Sequence, residues 1–235
     1  MIISFLQAAI VAGTPLLFAT VGEIITERAG NLNLGVEGMM LMGAVMGFMV
    51  GFKTGNPVAA MIAAMLAGAF GAFIYAFLTV SLRTNQVVTG LTLTIFGTGF
   101  SSLVGKTLVG KVAPQGIKNF FYQIKVPILG DIPFIGPVFF NHDAFVYFGY
   151  IIAIAAGIYF YNTSAGLNLR AIGENPGAAD AASVNINLYK YVNILIGGAL
   201  CGLGGAYCTC MAGKCYCRTW MDCSSFSNIC SLESL

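Results

Sequence analysis

Charged side chains are scarce in this sequence. Lys, Arg, Asp and Glu make up 9% of the 235 residues, whereas an ordinary soluble domain carries about 25%. A soluble domain of this length needs a charged surface, and there is too little charge here to cover one. The shortage excludes a soluble globular fold. The formal net charge of +2 gives no reason to expect a nucleic acid partner.

Histidine is nearly absent, since His142 is the only one in the chain. A nucleophile–histidine pair therefore has no candidate, and no second metal ligand lies near His142. The stretch from Gly99 to Thr107 resembles a phosphate-binding loop, but it has five residues between its glycines where the motif needs four. We predict that the chain is not an enzyme, that it does not hydrolyse nucleotide itself, and that it has no catalytic residue, no metal site and no cofactor.

Cysteine is missing from the first 200 residues and then occurs seven times, at positions 201, 208, 210, 215, 217, 223 and 230. Its CxC spacing differs from the CxxC spacing of zinc sites, and no histidine joins it. An abrupt change to Cys, Ser and Met without periodicity is typical of a shifted reading frame or an altered gene end. We therefore expect residues 208–235 to be a non-native, disordered tail, with residues 1–207 forming the membrane domain.

Apolar residues are abundant, at 57% of the chain. They are concentrated in six runs, each about as long as a helix must be to cross the hydrocarbon layer. Of the charged residues, only Glu37 and Lys190 fall inside a run, each near an end. The sequence predicts an all-α polytopic membrane bundle with about six spanning helices. The runs are Ile2–Thr20, Val36–Phe52, Pro57–Val80, Val87–Gly105, Ala144–Asn162 and Tyr189–Tyr207.

Two polar stretches adjoin these runs. The first, Gly22–Gly35, contains Glu23 and Glu27, which are four residues apart and would share one helix face. The second, Arg83–Gln86, leads into a run whose hydroxyl and amide side chains recur at helical spacing. Such a face looks toward a bundle interior or a water-filled path. Its threonine hydroxyls can equally bond to carbonyls of their own helix, and the residues leave both interpretations open.

The longest polar interruption between two apolar runs is Thr163–Lys190. Asn175 followed by Pro176 predicts a helix start, because Asn accepts bonds from free N–H groups and Pro suits the first helical position. A short Ala-rich helix outside the membrane would follow, although a solvated loop with one helical turn fits the composition as well. Charge does not decide which side it occupies, since alternating spans put four cationic residues on one side and five on the other.

Several separate motifs of this sequence resemble those of a known family and occur in the same order. Gly22–Gly30 and Asn33–Ala44 resemble the permeases of ATP-binding-cassette importers for nucleosides, simple sugars and branched-chain amino acids. Arg83–Gly90 is similar to the nucleoside branch, and Leu169–Pro176 with the following alanines is similar to the cytoplasmic coupling loop of that family. The resemblance covers about residues 5–207, and it implies that the C-terminal helices of the family are missing here.

The resemblance implies a multi-pass permease of the bacterial plasma membrane that imports a nucleoside or simple sugar by alternating access. Its partners would be cytoplasmic ATPase subunits, a second permease subunit and an extracytoplasmic substrate-binding protein. A branched-chain amino acid remains an alternative solute, and an ion-driven secondary transporter or channel remains an alternative class. The implied ATPase-coupling residues are Arg170, Gly173, Glu174, Asn175, Pro176, Ala178, Ala179 and Asp180.

The residues that line the path are predicted from polarity, because the family resemblance assigns them no roles. Polar side chains beside apolar runs are the natural weak partners of the hydroxyls and ring nitrogens of a nucleoside or sugar. The predicted path residues are Asn31, Asn33, Glu37, Asn85, Gln86 and Thr89.

Overall fold

The structure is a computed structural model, and it describes residues 2–108, 123–125 and 141–211. A π-helical turn, Phe77–Ser81, follows the third α-helix, and β1 (Gln123–Lys125) pairs antiparallel with β2 (Asn141–Asp143). The α-helices in these ranges are α1 (Ile2–Arg28), α2 (Val36–Thr54), α3 (Pro57–Ala76), α4 (Gln86–Gly105), α5 (Ala144–Asn162), α6 (Ser164–Glu174), α7 (Pro176–Ala181) and α8 (Ile186–Met211).

Six of these segments are long and apolar enough to cross a membrane: α1, α2, α3 with its π-turn, α4, α5 and α8. The prediction of an all-α bundle with about six spans is therefore confirmed. The predicted tail lies mostly outside the described residues, because the description ends at residue 211. Most of the connection between α4 and α5 also lies outside them.

Helix α1 is longer than its apolar run, since it continues through the polar sequence from Gly22 to Arg28. A Cβ on Gly22 would lie 2.5 Å from the Gly197 carbonyl oxygen of α8, so the two helices touch through their backbones here. The Thr26 hydroxyl donates to the Gly22 carbonyl at 3.1 Å. Close packing and internal hydrogen bonding thus keep this polar turn helical.

The centre of the bundle is the mutual packing of α2, α3 and α8. A Cβ on Gly43 would lie 2.5 Å from the Gly202 Cα, and one on Gly47 would lie 3.1 Å from the Ala64 Cβ. A Cβ on Gly205 would collide with the Met40 carbonyl. The small residues of α2 therefore allow neighbouring helices to approach closely.

The connections 29–35, 82–85 and 163–185 gather at one end of the bundle. The Gly30 and Gly173 backbones touch, since a Cβ on Gly30 would lie 3.3 Å from the Gly173 Cα. The Leu32 N–H donates to Gln86 Oε1 at 2.8 Å, which joins the first connection to the start of α4. We call residues 29–35 the break and residues 163–185 the arm.

Candidate functional site

The break separates α1 from α2 with non-helical backbone in which buried residues alternate with exposed ones. Asn31 and Asn33 are 2% and 3% exposed, and buried backbone groups of this kind need protein partners. Leu32 N–H donates to Gln86 Oε1 at 2.8 Å, and Asn33 N–H donates to Glu23 Oε1 at 3.0 Å. Gly35 N–H donates to Asn33 Oδ1 at 2.9 Å. Side chains replace the helical hydrogen bonds that the break lacks.

The carbonyl groups of the break find partners on α3 and α4. The Tyr75 hydroxyl donates to the Leu32 carbonyl at 2.7 Å, and the Thr94 hydroxyl donates to the Leu34 carbonyl at 3.0 Å. Tyr75 is fully buried. Three spanning helices, α1, α3 and α4, therefore fix the conformation of the break.

The structure brings two of the predicted path residues, Asn31 and Gln86, into contact. Gln86 Nε2 donates to Asn31 Oδ1 at 3.3 Å and to the Gly30 carbonyl at 3.4 Å. Since Gln86 also accepts from Leu32, one amide at the start of α4 bridges both sides of the break. Asn33 lies in the same break, and its side chain accepts from the Gly35 N–H.

The remaining predicted path residues lie apart from this group. Thr89 is buried one turn further along α4, and its hydroxyl contacts the Asn85 carbonyl and Thr84 Oγ1, each at 2.9 Å. Asn85 is exposed and caps α4 by accepting from Val87 N–H at 3.0 Å. Glu37 is exposed on the first turn of α2, so it does not join the buried group.

The threonine hydroxyls on the polar face of α4 bond to their own helix. Thr89 donates to the Asn85 carbonyl and Thr92 to the Val88 carbonyl at 2.8 Å. The Thr94 hydroxyl bonds to the Gly90 carbonyl of its own helix at 3.2 Å, and it also bonds to the Leu34 carbonyl of the break at 3.0 Å. Of the two interpretations that the sequence leaves open for these hydroxyls, back-bonding describes the observed contacts of Thr92.

Three residues of the site were not predicted from the sequence. Glu23 could be paired with Glu27 on a helix face, but which of the two carboxylates faces inward depends on how α1 packs. Glu23 is half-buried and Glu27 is exposed. Tyr75 and Thr94 bond to carbonyl groups far away in the chain, at separations of 43 and 60 residues. A lone tyrosine inside a run of Ala, Gly and Phe was the one available signal for Tyr75.

Two buried polar atoms at the break have no hydrogen-bond partner within the described part of the chain. They are Glu23 Oε2 and Asn31 Nδ2. The other polar atom of each side chain does form a hydrogen bond: Glu23 Oε1 accepts from Asn33 N–H, and Asn31 Oδ1 accepts from Gln86 Nε2. Each side chain is thus held through one polar atom, and its second polar atom has no partner among the described residues. A carboxylate oxygen accepts hydrogen bonds and an amide nitrogen donates them.

The arm consists of two short helices at the same end of the bundle. Asn175 Oδ1 accepts from the Ala178 N–H at 3.2 Å, so Asn175 caps α7 as its sequence predicts. Ala179 is the buried residue of α7, whereas Pro176, Ala178 and Asp180 are exposed. The second helix of the arm therefore presents small side chains and backbone to the surroundings.

Helix α6 anchors the arm to the bundle. Its Leu169 and Ile172 are fully buried, and the Arg170 guanidinium lies 5.6 Å from the centre of the Tyr161 ring. At its end, a Cβ on Gly173 would collide with the Arg28 carbonyl of α1. The arm is consequently in backbone contact with the residues that begin the break.

A cavity of about 720 Å³ lies between the arm and the end of α3. Arg83 and Lys190 supply its positive charge and Asp180 its negative charge. Among the described residues, no group of three His, Cys, Asp or Glu side chains is placed to hold a metal ion. The site offers hydrogen bonds, packing and charge.

Six apolar spans, a hydrogen-bonded break and a small-residue arm define a multi-pass membrane protein. The family described as the permease component of branched-chain amino acid transport systems matches residues 5–218. The chain therefore belongs to this permease family.

Three relatives illustrate the similarity. TsgC13 of Haloferax volcanii, a permease named for glucose transport, is 38% identical over 86% of this chain and 61% of its own length. The guanosine ABC transporter permease NupQ of Bacillus subtilis is 34% identical over 84% of this chain and 64% of its own length. The nucleoside ABC transporter permease NupC of Lactococcus lactis is 33% identical over 84% of this chain and 64% of its own length.

The chain thus spans less than two thirds of the length of these relatives. No solved structure matches it.

Proposed function

We propose that this chain is the membrane-spanning permease subunit of an ATP-binding-cassette importer in the bacterial plasma membrane. It translocates a nucleoside or a simple sugar by alternating access. The family supports the importer class, and the names of the relatives, which refer to glucose, guanosine and nucleosides, support the solute class. The chain itself carries out no covalent step and needs no cofactor, because ATP is hydrolysed on a separate subunit.

The observation that carries this proposal is the exposed helix α7. A docking helix must offer a surface that a partner can cover without burying charge, and the exposed Pro176 and Ala178 provide one. Glu174 and Asp180 lie exposed at its edges. A cytoplasmic ATPase subunit would cover this surface, and an ion-driven transporter would have no use for it.

Motion of the arm would reach the bundle through α6. Leu169 and Ile172 hold α6 in the packed interior, and Gly173 touches the end of α1. A displacement of α7 by the ATPase therefore acts on the start of the break. ATP binding and release would bias two packings of the bundle that have similar free energies.

The polarity of the break supports a neutral solute. The polar side chains in the break are amides. Those that bond to it are the Gln86 amide, the Tyr75 hydroxyl and the ionisable carboxyl group of Glu23. A branched-chain amino acid carries both an ammonium and a carboxylate, and each needs a compensating partner away from water. We assign Asn31, Asn33 and Gln86 to the path, and we place Thr89, Asn85 and Glu37 at its margin.

Co-purification tests the assignment to an importer. The chain is co-expressed with its cognate ATPase and purified through a tag on the permease. We expect the ATPase to be retained by the wild type and lost from Ala178→Trp, because the indole blocks the docked face. Ala155→Trp is the matched control, since Ala155 is exposed on the spanning helix α5.

Retention of the ATPase by Ala178→Trp would contradict docking on α7. Uptake by proteoliposomes that contain the complete complex tests the solute class. We expect ATP-dependent uptake of labelled guanosine or of labelled glucose, and uptake of neither solute would contradict the proposed solute class.

A further inference from the structure

The cavity between the arm and the end of α3 carries an excess of positive charge. Its volume of about 720 Å³ lies in the usual range for ligand pockets. Arg83 and Lys190 line it, against a single carboxylate, that of Asp180. Within the described ranges, neither cationic side chain forms an ion pair or a hydrogen bond. The start of α8 belongs to the same wall, and the N-terminal end of a helix adds partial positive charge. The cavity therefore offers two cations that have no counter-ion.

The backbone is strained at two edges of this cavity. Arg83 has a φ of 52° and Ser183 a φ of 59°, and these are the two non-glycine residues with positive φ in the described part of the chain. Both line the cavity. The left-handed conformation is unfavourable for a residue with a Cβ, and such strain is concentrated at functional sites. Thr84 N–H donates to the Leu78 carbonyl at 3.2 Å, and Ser183 N–H donates to the Asp180 carbonyl at 2.9 Å. Hydrogen bonds thus hold both strained turns in place beside the cavity.

The cavity lies at the level where two apolar spans end. Thr79 belongs to the span Pro57–Ser81, and Lys190 belongs to the span Ile186–Cys208. Asp180, on the arm, lies outside the candidate spans. The polar headgroups of a bilayer begin where the apolar spans end. Basic pockets between spanning helices at this level bind the headgroups of anionic lipids.

Exposed apolar side chains continue from the cavity into the membrane. On α8, Leu188 and Val192 are one turn apart and are 57% and 44% exposed. On α3 and its π-turn, Phe73 and Phe77 have the same spacing, and each is 49% exposed. The two helices meet here, because the centre of the Phe73 ring lies 6.5 Å from that of Tyr191 on α8. The acyl chains of a lipid can cover this surface, whereas a phosphate ion or a soluble phosphate ester would leave it unused.

We propose that this cavity binds the phosphate group of one anionic phospholipid. Arg83 and Lys190 donate hydrogen bonds to the phosphate oxygens, and the acyl chains lie along α3 and α8. A zwitterionic lipid would bring its ammonium group to a cavity that is already positive, so an anionic headgroup is preferred. Because Pro176 and Asp180 of α7 also line the cavity, the bound lipid fastens the arm to the membrane surface. The inference goes beyond the proposed function and does not depend on it, since both leaflets contain phospholipid.

Equilibrium binding of radiolabelled phosphatidylglycerol to the purified full chain in detergent tests the site. The competitors are unlabelled phosphatidylglycerol, phosphatidylcholine with the same acyl chains, and inorganic phosphate. Arg83→Gln and Lys190→Gln each remove one cation, and Asp180→Asn removes the carboxylate. Arg28→Gln is the matched control, because Arg28 is exposed at the same end of the bundle but does not line the cavity.

We expect the wild type to bind one phosphatidylglycerol, with phosphatidylcholine and inorganic phosphate competing weakly. Arg83→Gln and Lys190→Gln should each raise Kd about five-fold, the effect of removing one cation near a membrane surface. Asp180→Asn should lower Kd, which a damaged fold would not do. Arg28→Gln should bind as the wild type does.

Four outcomes overturn the proposal. Equal competition by the two phospholipids excludes an anionic site, and this measurement does not require any variant to fold. Full displacement by inorganic phosphate would mean that the cavity takes free phosphate. An equal rise in Kd for Arg28→Gln and Arg83→Gln would mean that the lipid is attracted by the whole surface. If ATPase docking releases the lipid and Arg83→Gln loses the ATPase, the cavity instead receives an acidic side chain of that subunit.

Discussion

Helices α2, α3 and α8 meet through the backbones of small residues, whereas the break between α1 and α2 is held by side-chain hydrogen bonds. At Gly43 and Gly202 there is no room for a methyl group. At the break, three N–H groups and three carbonyls each bond to a particular polar side chain. The first region is fixed by shape and tolerates no added volume. The second is fixed by directional bonds that can be exchanged for bonds to another partner.

The largest expected effect comes from adding one methyl group to the core. In Gly43→Ala the new Cβ lies 2.5 Å from the Gly202 Cα, so α2 and α8 must separate. Overpacking of this kind costs about 1–3 kcal/mol, and sometimes more. Thermal unfolding in detergent, followed by size exclusion, should show a lower midpoint. Gly157→Ala is the control, because no heavy atom lies within 4 Å of its Cβ position, and its midpoint should be unchanged or higher. Equal midpoints for both variants would contradict packing by shape.

The next effect comes from removing one hydroxyl at the break. Tyr75→Phe keeps the buried ring but leaves the Leu32 carbonyl without its 2.7 Å donor, which costs about 1–3 kcal/mol. The unfolding midpoint should fall, and hydrogen exchange in residues 29–35 should quicken. Tyr161→Phe removes a hydroxyl from a side chain that is 73% exposed and should change neither measurement. Unaltered exchange in Tyr75→Phe would mean that the break does not depend on this bond.

A smaller effect is expected in the arm. Asn175→Ala removes the cap that accepts from Ala178 N–H, and such a loss costs about 1 kcal/mol. Because α7 is only six residues long, the result should be local opening with little change in global stability. Hydrogen exchange of the peptide that covers residues 176–182 should quicken about five-fold. Asn187→Ala, which alters an exposed asparagine in α8, should not change it.

The smallest effect separates two threonines of α4. Thr92 bonds only to the Val88 carbonyl in the contacts seen here, whereas Thr94 bonds to both the Gly90 and Leu34 carbonyls. Thr92→Val should therefore alter the free energy of unfolding by less than about 0.5 kcal/mol. Thr94→Val should lower the free energy of unfolding by about 1 kcal/mol more than Thr92→Val does, because it also removes the hydrogen bond to the Leu34 carbonyl of the break. Similar values for the two variants would show that the bond to Leu34 adds nothing.

The sequence predicted the spans well because length and hydrophobicity determine them locally. The start of α5 and its end, Ala144–Asn162, agree with the apolar run residue for residue. The cap at Asn175 was predictable for the same reason, since Asn followed by Pro acts within one turn. The end of α1 could not be predicted from the local sequence, because contacts with α8 keep Gly22–Arg28 helical.

The site was predicted only in part. Polarity beside an apolar run selected Asn31 and Gln86, whose side chains bond to each other, and Asn33, which lies in the same break. The same criterion selected Glu37, which is exposed, and passed over Glu23, which is half-buried. Polarity alone does not tell which side of a helix faces the interior. That depends on the rotation of each helix, which is set by small-residue contacts between segments that are far apart in sequence.

The touching backbones at Gly30 and Gly173 have a mechanical consequence. No flexible side chain lies between these two segments, and a Cβ on Gly173 would collide with the Arg28 carbonyl. Flexible side chains absorb small movements by changing rotamer, and a contact of main chain on main chain cannot do so. The junction is therefore stiff in compression. A push on the arm acts directly on the first residues of the break. A pull is resisted by the packing of α6 and by the hydrogen bond that Asn168 donates to the Tyr189 hydroxyl at 3.2 Å.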